Sequence, residues 1–513
     1  MASEQIVAGR LPRRLVIVGS GETAWMAAAV ISLSAGPLVR KITVVTESDP
    51  REEFPAETTQ PSLTRLLQNP GFDEQEMMRR ADATWSLAKQ FSDWVRLDRD
   101  FWVPHFGGPL TLGPATFFQA WHAERVQGRL LRPLHSYAMQ WAAALAGKAP
   151  AGFSHPSTIT RSLAYGFHVD GTGLANAFRQ IALTHGVEEI RGQTAVVNPN
   201  GRGGVAQLKL VDGQIIAGDF FLDCSADAGV LSQVAATGPW HEDPDPTVCR
   251  RLMEIRLPPR RQIPPWTRIT ALDNGWAWQI PLHSCIRVGC ATADADREAE
   301  HGWQQLHDLL SLDGLLPTTS DSANETEATS EVITTIIQPG RRESFWRDNV
   351  IVLGAAACRV DPLVSAGRHL ALLGIELLLE LFPDRNTVEE VRTEYNQRMI
   401  RAIDEIRDLA ALHSRVSQRK DSNFWQQAIA APMSSSLSER MELFDSTSHL
   451  DLRCAEALGE APWWFLIAGC QRFPGRPALA TGTLDPATVQ NALREIVKSQ
   501  ETELKDLPQH EEM

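Results

Sequence analysis

One stretch near the start of the chain, LVIVGSGETAWMAAA from Leu15 to Ala29, limits the fold more than any other. Its four apolar residues, Leu15 to Val18, predict a buried strand, and an apolar helix follows them. Between the two, Gly19, Gly21 and Ala24 fill the three small positions of a G-x-G-x-x-G/A pattern. In a dinucleotide-binding turn these residues permit the tight turn, the approach of backbone to a pyrophosphate and close helix–strand packing. The pattern predicts a nucleotide site, with glycines in a turn that holds no ligand as the alternative.

The next predicted strand is followed by an acidic residue. Lys41 to Thr46 (KITVVT) is β-branched, and Glu47 comes directly after it. A carboxylate at the tip of the second strand can accept hydrogen bonds from ribose hydroxyls. The distance from Gly19 exceeds the usual ~20 residues, which indicates a long crossover. The alternative for Glu47 is a solvated residue at a strand end.

The composition is that of an ordinary globular protein. Its 513 residues are enough for two or three cores. The net charge of −14 argues against nucleic-acid binding, which needs clustered Lys and Arg. No apolar run reaches the ~20 residues of a membrane span, and the first residues lack the apolar stretch of a secretory signal. The seven cysteines form no C-x-x-C pair and the histidines show no metal-ligand spacing, so we expect a reduced, cytoplasmic protein without a metal site.

Two further strand-plus-turn segments occur later in the chain. A β-meander with an Asp212–Gly213 turn ends in an apolar strand and Asp223-Cys224-Ser225-Ala226, which resembles the second dinucleotide-contact segment of flavin hydroxylases. The strand NVIVLG then ends at Gly354. Because these segments follow an N-terminal glycine motif, they favour FAD over NAD and predict a discontinuous dinucleotide domain.

We therefore predict an α/β (α+β) fold with a FAD-binding Rossmann-like domain of the flavin monooxygenase type, an inserted β-sheet substrate domain and a helical C-terminal region. The FAD domain is expected within residues 1–400, as about 10–60, 160–240 and 335–385. The inserted substrate-chamber segments are about 61–160 and 241–334, and the helical region is 401–513.

Several local expectations bear on the site. Asp73 to Trp94 is predicted as a helix followed by an irregular amphipathic piece, and Trp102 to Pro109 as a loop with one histidine, His105. A lone histidine is more often structural than catalytic. Leu316 to Glu331 is polar and is predicted as a surface loop.

The motifs resemble those of flavin-dependent tryptophan halogenases along almost the full chain. The most specific is Trp276-Ala-Trp278-Gln-Ile280-Pro281, a W-x-W-x-I-P signature that separates these enzymes from flavin hydroxylases. The other matching pieces are VGSGETAWMAAA, AETTQPSL, ATWSLAKQFSDW, YGFHVD, FLDCSAD, WRDNVIVLGAAA, DPLVSAG, EYNQRM and RKDSNFW.

The resemblance implies FAD, reduced by a separate flavin reductase, together with oxygen and a halide, chloride or bromide. In the family a halide is oxidised to hypohalous acid, which passes through a tunnel to a small aromatic substrate. The resemblance also implies a homodimer.

The resemblance assigns residues to three groups. The cofactor-binding group is Gly19, Gly21, Ala24, Trp25, Glu47, Asp223, Gly354, Asp361, Pro362 and Leu363. The loop beside flavin and halide is Ser365, Ala366 and Gly367, where Ala366 replaces the family's threonine. The tunnel group is Trp276, Trp278 and Pro281.

The family's two catalytic side chains are missing. Its lysine position is occupied by Ser86 and its glutamate position by Val364. The alternative lysine is Lys89, which shares a face with Ser86 if the segment is helical and points to the opposite side if it is a strand. The predicted function is an FAD-dependent oxidoreductase acting on an indole-like substrate, by oxygenation or by halogenation of a very electron-rich ring. The alternatives are a flavin-binding pseudoenzyme with a sensing or partner-binding role, and a chain that binds no FAD.

Overall fold

The structure is a computed structural model. It describes residues 12–36, 38–47, 55–106, 111–129, 132–150, 164–235, 237–292, 296–316, 331–384, 387–452, 454 and 457–510. The chain divides into two compact units, each built from three separated pieces. The first unit is Met1–Ala83, Val169–Asp243 and Gln338–Asp404, and the second is Thr84–His168, Pro244–Ile337 and Glu405–Met513. Which of these segments bind the cofactor and which bind the substrate stays a prediction.

A six-stranded sheet forms the centre of the first unit. Its spatial order is Glu188–Arg191, Lys41–Thr46, Arg14–Val18, Phe220–Asp223, Val350–Val352 and Trp346–Arg347. The first five strands run parallel and the last is antiparallel. Their near-continuous apolar runs reflect burial on both faces, as parallel sheets require.

Helices and smaller sheets complete the first unit. The helices are Glu22–Ala35, Pro61–Leu67, Glu74–Arg80, Gly171–Thr184, Gly367–Glu380 and the start of Glu389–Arg415. One small sheet is the predicted meander, Thr194–Pro199, Val205–Leu210 and Ile215–Ala217, with Gly213 at φ +91° in its turn. The other is Trp240–Glu242, Gly340–Arg342 and Cys358–Arg359.

A seven-stranded sheet forms the centre of the second unit. Its order is Ile333–Ile336, Arg251–Leu257, Ile286–Thr292, Gly275–Pro281, Trp266–Leu272, Ala88–Ser92 and Phe101–Pro104. One face packs on helix Asp296–Leu312, where Ala277 and Val288 of the sheet share a core with Leu306 and Leu310. Side chains alternate between the faces, so Trp276 and Trp278 lie on the face opposite this helix.

The remaining elements of the second unit are mostly helical. The helices are Phe117–Val126, Met139–Leu145, Asn423–Ala430, Ser435–Thr447, Ala461–Gly469 and Pro486–Glu503. Strands Thr84–Ser86 and Gly166–Val169 pair antiparallel, and Thr111–Leu112 pairs with Ala115–Thr116.

Part of the prediction for Asp73 to Trp94 is wrong. Helix Glu74–Arg80 is present, but the piece expected to be irregular consists of strands Thr84–Ser86 and Ala88–Ser92. Nearly all of their residues are buried, so neither strand shows the polar–apolar alternation by which a half-exposed strand is recognised.

The predicted loop from Trp102 to Pro109 also begins as strand, because Phe101–Pro104 pairs with the edge of the large sheet. Residues 107–110 and 317–330, which include most of the predicted Leu316–Glu331 loop, lie outside the described residues. All seven cysteines are buried and unbridged.

Candidate functional site

The predicted cofactor segments meet at one edge of the parallel sheet in the first unit. Gly19 follows the Arg14–Val18 strand, Glu47 follows Lys41–Thr46, Asp223 ends the next strand and Gly354 follows Val350–Val352. These four strands are neighbours and run parallel, so their carboxyl ends lie side by side. Ligands of open α/β sheets bind in the crevice outside this edge.

Two glycines at this edge lie where a side chain has no room. Gly19 has φ +143°, and a Cβ there would lie 2.3 Å from the carbonyl oxygen of Cys224. Gly354 has φ +61°, and its Cβ would lie 2.5 Å from Oγ1 of Thr23. Any side chain at these positions would push apart the segments that form the edge.

The start of helix Glu22–Ala35 offers donors to an anion. Gly21 is the N-cap residue, and no side chain caps the helix there. A pyrophosphate can accept hydrogen bonds from the N–H groups of a first helical turn, and the positive end of the helix dipole attracts it. Ala24 is fully buried, consistent with its predicted packing role, and Trp25 is buried beside the Arg179 guanidinium, 5.5 Å from the ring centroid.

A buried ion-pair network lies at the same helix start. Arg368 donates from Nε to Glu22 Oε2 at 2.6 Å and from Nη1 to Glu57 Oε2 at 2.8 Å. Burial raises the pKa of Glu22 above 4.5, and the Arg368 charge opposes that effect. The other Glu22 oxygen, Oε1, is buried without a hydrogen-bond partner. A carboxylate here disfavours a neighbouring phosphate, and Arg368 offsets that charge.

Two residues predicted to bind the cofactor have carboxylates that accept hydrogen bonds from within the protein. Asp223 is fully buried and accepts four hydrogen bonds from its own loop, from Ser225, Leu231 and Ser232. It shapes the turn after its strand. Glu47 Oε1 accepts from the Thr194 backbone N–H at 2.9 Å, and its own N–H donates to Ser20 Oγ at 3.0 Å.

The predicted halide loop is a tight turn. Asp361 Oδ1 accepts from the Leu363 N–H at 2.9 Å, a short 3₁₀ turn spans Pro362–Val364, and Ser365 takes the left-handed conformation at φ +52°. Ala366 then caps helix Gly367–Glu380 without a side-chain hydrogen bond.

Gln60, which belongs to another segment of the chain, holds this turn by hydrogen bonds. Its Nε2 donates to the carbonyl oxygens of Val364 at 2.7 Å and of Ser365 at 3.3 Å. Both carbonyls are therefore directed toward Gln60, and the N-terminal N–H groups of the Gly367–Glu380 helix have no side-chain cap.

The predicted tunnel residues lie in the second unit. The indole rings of Trp276 and Trp278 have centroids 5.4 Å apart and are both buried. Trp278 Nε1 donates to Glu254 Oε2 at 3.3 Å, and Glu254 forms a buried ion pair with Arg287. These groups occupy the sheet face opposite helix Asp296–Leu312.

Ser86 contacts a buried histidine in the same unit. Its Oγ lies 3.4 Å from Nε2 of His105. Burial, together with the charge of Lys89, lowers the pKa of His105 to about 3. This histidine is therefore neutral at physiological pH.

A second buried histidine is held through both ring nitrogens. Thr84 Oγ1 donates to the Pro281 carbonyl at 2.6 Å, so it accepts from Nδ1 of His168 at 2.9 Å. His168 Nε2 then accepts from Thr267 Oγ1 at 3.1 Å. Burial holds the pKa of His168 well below 6.5, and His168 acts as a neutral structural link.

A family model described as "Tryptophan halogenase" matches residues 14–486. The chain belongs to the tryptophan halogenase family. Tryptophan 6-halogenase SttH from Streptomyces toxytricini is 26% identical over 506 residues, which cover 94% of each chain.

Solved structures of halogenases have the same fold. Xcc4156, a flavin-dependent halogenase from Xanthomonas campestris, is 27% identical with a TM-score of 0.86 and covers 98% of both chains. BrvH, a flavin-dependent halogenase from Brevundimonas sp. BAL3, is 27% identical with a TM-score of 0.84 and covers 98% of this chain and 99% of its own. The predicted fold class, α/β with the FAD-binding fold of this family, is confirmed.

Several features of this halogenase-family chain are absent from the sequence prediction. Glu22, Gln60 and Arg368 all lie inside or beside family motifs, but their mutual contacts join segments far apart in sequence. The sequence did contain one signal for Arg368, because this residue directly follows Gly367 of the halide motif.

The part of the chain that the structure describes lacks two features. Among those residues no helix is long and apolar enough to cross a membrane. The same residues contain no group of three or more His, Cys, Asp or Glu arranged to hold a metal ion.

Proposed function

We propose that this halogenase-family chain is an FAD-dependent oxidoreductase that acts on a small aromatic substrate. The observation that carries the proposal is the meeting of four predicted cofactor segments at the carboxyl edge of neighbouring parallel strands. Reduced FAD from a separate flavin reductase, with oxygen, would supply the oxidising equivalent that turns chloride or bromide into hypohalous acid.

The chain's own residues divide the binding work. Gly19, Gly21 and Ala24 let the first helix approach a pyrophosphate, and Glu47 has a second carboxylate oxygen for a ribose hydroxyl. Backbone N–H groups at the start of helix Gly367–Glu380 are available to an anion.

The replaced catalytic pair restricts the substrate. Ser86 carries no positive charge and Val364 accepts no proton, and loss of one acid–base group costs on the order of 10²–10⁴ in rate. We therefore expect weak activity on tryptophan, and turnover of rings that are more electron-rich.

A reductase-coupled assay tests the proposal. The full chain, FAD, NADH, a flavin reductase, oxygen and bromide are incubated with indole and a panel of phenols, and products are identified by mass spectrometry. Gly21→Trp is the matched blocking variant, because Gly21 has φ −81° and ψ 179°, which any residue adopts. Gly482→Trp is its control, since a Cβ there meets nothing within 4 Å.

The expected result is a brominated or oxygenated product that is lost in Gly21→Trp and kept in Gly482→Trp. Absence of product across the panel would contradict the proposal. The second candidate, a flavin-binding pseudoenzyme, is favoured by the neutral Ser86 and Val364. It predicts FAD binding without product. The homodimer is likewise a proposal, and light scattering of the full chain tests it.

A further inference from the structure

The carboxylate of Glu22 lies between the starts of two helices. Glu22 is the first residue of helix Glu22–Ala35, and its partner Arg368 is the second residue of helix Gly367–Glu380. Neither helix has a side-chain cap at its N-terminus. This carboxylate therefore joins two positive dipole ends, together with the N–H groups that the first turn of a helix leaves without intrahelical partners.

One oxygen of the Glu22 carboxylate makes no hydrogen bond within the chain. Its Oε2 accepts from Nε of Arg368 at 2.6 Å, whereas Oε1 is buried without a hydrogen-bond partner among the residues that the structure describes. The side chain is only 11% exposed. A polar atom taken out of water costs free energy unless it forms a hydrogen bond. A buried, unpartnered carboxylate oxygen at a helix start therefore indicates that a ligand completes its hydrogen bonding.

The charges in this network do not balance. Arg368 also donates to Glu57 Oε2 at 2.8 Å, so two carboxylates share one guanidinium. The charge of Asp170, which caps the neighbouring helix Gly171–Thr184, acts on the same guanidinium. Burial opposes the charge of Arg368, but these three carboxylates outweigh burial and raise the pKa of the guanidinium above its usual value. With both glutamates ionised, the network therefore carries a net negative charge.

The other titratable groups on the surrounding elements are engaged with partners of their own. They are Arg179, which pairs with Glu189, His369, which hydrogen-bonds Ser62, and the carboxylates of Glu47, Asp223 and Asp361, which accept from backbone N–H groups. The charge of the network is therefore set by its own members and by what binds at the helix starts.

We propose that Glu22 binds the FAD pyrophosphate as a neutral carboxylic acid, taking up a proton on Oε1 when FAD binds and donating it in a hydrogen bond to a phosphate oxygen. This inference rests on the proposed function, because it names a further residue that holds the cofactor of the same site. Before FAD binds, Arg368 and the helix dipoles stabilise the carboxylate. A pyrophosphate at the helix start brings negative charge, and a nearby like charge favours the protonated form of a carboxyl group.

The proton balance of this step is simple. The proton comes from the solvent, forms an O–H bond with Oε1 of Glu22 and stays on that oxygen. Oε1 thereby changes from an acceptor without a donor into a donor with an anionic acceptor, which is one of the stronger kinds of hydrogen bond. Burial raises the pKa of Glu22 above 4.5 against the charge of Arg368, so the free chain is already biased toward this state.

Calorimetry of FAD binding tests the proposal without turnover. The full chain is titrated with FAD from about pH 5 to about pH 9, in buffers with different heats of ionisation, so that the observed heat counts the protons taken up. Glu22→Gln keeps a side-chain donor without a titrating group, and Glu22→Leu removes both. Glu380→Gln is the matched control, because it neutralises an exposed carboxylate that pairs with Arg398. Circular dichroism checks that each variant is folded.

The natural chain is expected to take up about one proton per FAD at the pH of maximum uptake. Because the complex holds a proton that the free chain lacks, FAD affinity there falls by up to about tenfold per pH unit as pH rises. Glu380→Gln should behave in the same way. Glu22→Gln and Glu22→Leu should show no such uptake, and Glu22→Leu should bind FAD more weakly than Glu22→Gln because it has no donor.

Two results would overturn the proposal. One is proton uptake that is the same in Glu22→Gln as in the natural chain, and the other is equal FAD affinity in Glu22→Gln and Glu22→Leu.

The outcome is distinguishable from that of the proposed function. Uptake that depends on Glu22, without product in the reductase-coupled assay, supports this inference and contradicts the oxidoreductase. FAD binding without such uptake, together with product, supports the oxidoreductase and contradicts this inference. Absence of FAD binding contradicts both.

Discussion

Nε of Arg368 lies 2.6 Å from the carboxylate of Glu22, the first residue of the helix that follows the glycine turn. The same guanidinium bonds Glu57, so one cation joins three segments that are far apart in sequence. Both side chains of the Arg368–Glu22 pair are about nine-tenths buried, with 13% and 11% exposure. Removing one partner of a buried ion pair leaves the other charge buried and unpaired. Removing one partner of an exposed pair leaves a charge that water solvates.

Replacing Arg368 with methionine is expected to lower the free energy of unfolding by about 3–5 kcal/mol, because Glu22 and Glu57 lose their common cation. Urea titration followed by circular dichroism measures the loss. Arg14→Met is the control, since the Arg14–Asp219 pair is exposed and is expected to contribute about 0–1 kcal/mol. Equal midpoints for both variants would show that the network is not stabilising.

The Glu22→Gln variant is expected to bind FAD more tightly than the natural chain does, and this difference is expected to grow as pH rises. Burial raises the pKa of Glu22 above its usual 4.5, so the carboxylate ionises only as pH rises beyond that value. The ionised form repels a pyrophosphate at the helix start, so FAD affinity of the natural chain falls with pH in this range. Glutamine keeps the hydrogen-bonding shape without the charge.

Fluorescence titration of FAD at several pH values checks this expectation. Glu188→Gln is the control, because Glu188 pairs with Lys41 on the sheet surface. A pH dependence that is the same in Glu22→Gln and the natural chain would exclude Glu22 as its source.

Acid is expected to destabilise the second unit through its buried histidines. Burial lowers the pKa of His105 to about 3 and that of His413 and His510 to about 4. The unfolded chain takes up protons below about 6.5 while the folded chain does not, so stability is complete above pH 6.5 and falls between 6.5 and 3.

His105→Asn removes one of these contributions. Between pH 6.5 and 5 the variant should lose about 2 kcal/mol less than the natural chain, at about 1.4 kcal/mol per pH unit. Urea titrations at the two pH values measure this difference. His185→Asn, at an exposed helix end, is expected to leave the loss unchanged, and the same behaviour in His105→Asn would refute the prediction.

Gln60→Leu is expected to weaken bromide binding by about fivefold to thirtyfold. The change removes the Gln60 amide that donates to the Val364 and Ser365 carbonyls. The loss of these hydrogen bonds is expected to cost about 1–2 kcal/mol. The Ser365 turn, at φ +52°, then has one restraint fewer. A bound ion stabilises the folded chain, so the bromide-dependent rise in melting temperature reports the affinity.

The control for this change is Gln233→Leu, which removes a glutamine that donates to the carbonyl of Ala228 at an exposed site. If both variants respond to bromide as the natural chain does, Gln60 does not shape an anion site.

Strands with special residues at their ends were the most predictable part of the chain. Gly19 was identified from the sequence as the glycine of a tight turn, and Gly354 as the end of a buried strand. The structure gives both a positive φ. The strands Thr84–Ser86 and Ala88–Ser92 were missed because almost all of their residues are buried, which removes the alternation that identifies a strand.

Site contacts were less predictable than site segments. Asp223 was predicted to bind cofactor, and its carboxylate accepts four hydrogen bonds from its own loop. His105 was expected to be structural, and its ring contacts Ser86, which the sequence analysis predicted to occupy the family's lysine position. Neither arrangement follows from local pattern, because side-chain partners depend on which loops meet in space.

By itself the sequence determined the glycine turn, the order of strand-and-turn segments and the family. These are properties of residue type and short-range spacing, which backbone sterics and periodicity fix locally. Only the tertiary structure decided that Arg368 joins Glu22 to Glu57, and that Lys89 shares a sheet face with Trp278. Such relationships arise when strand register and packing bring distant residues together, and no local rule contains that information.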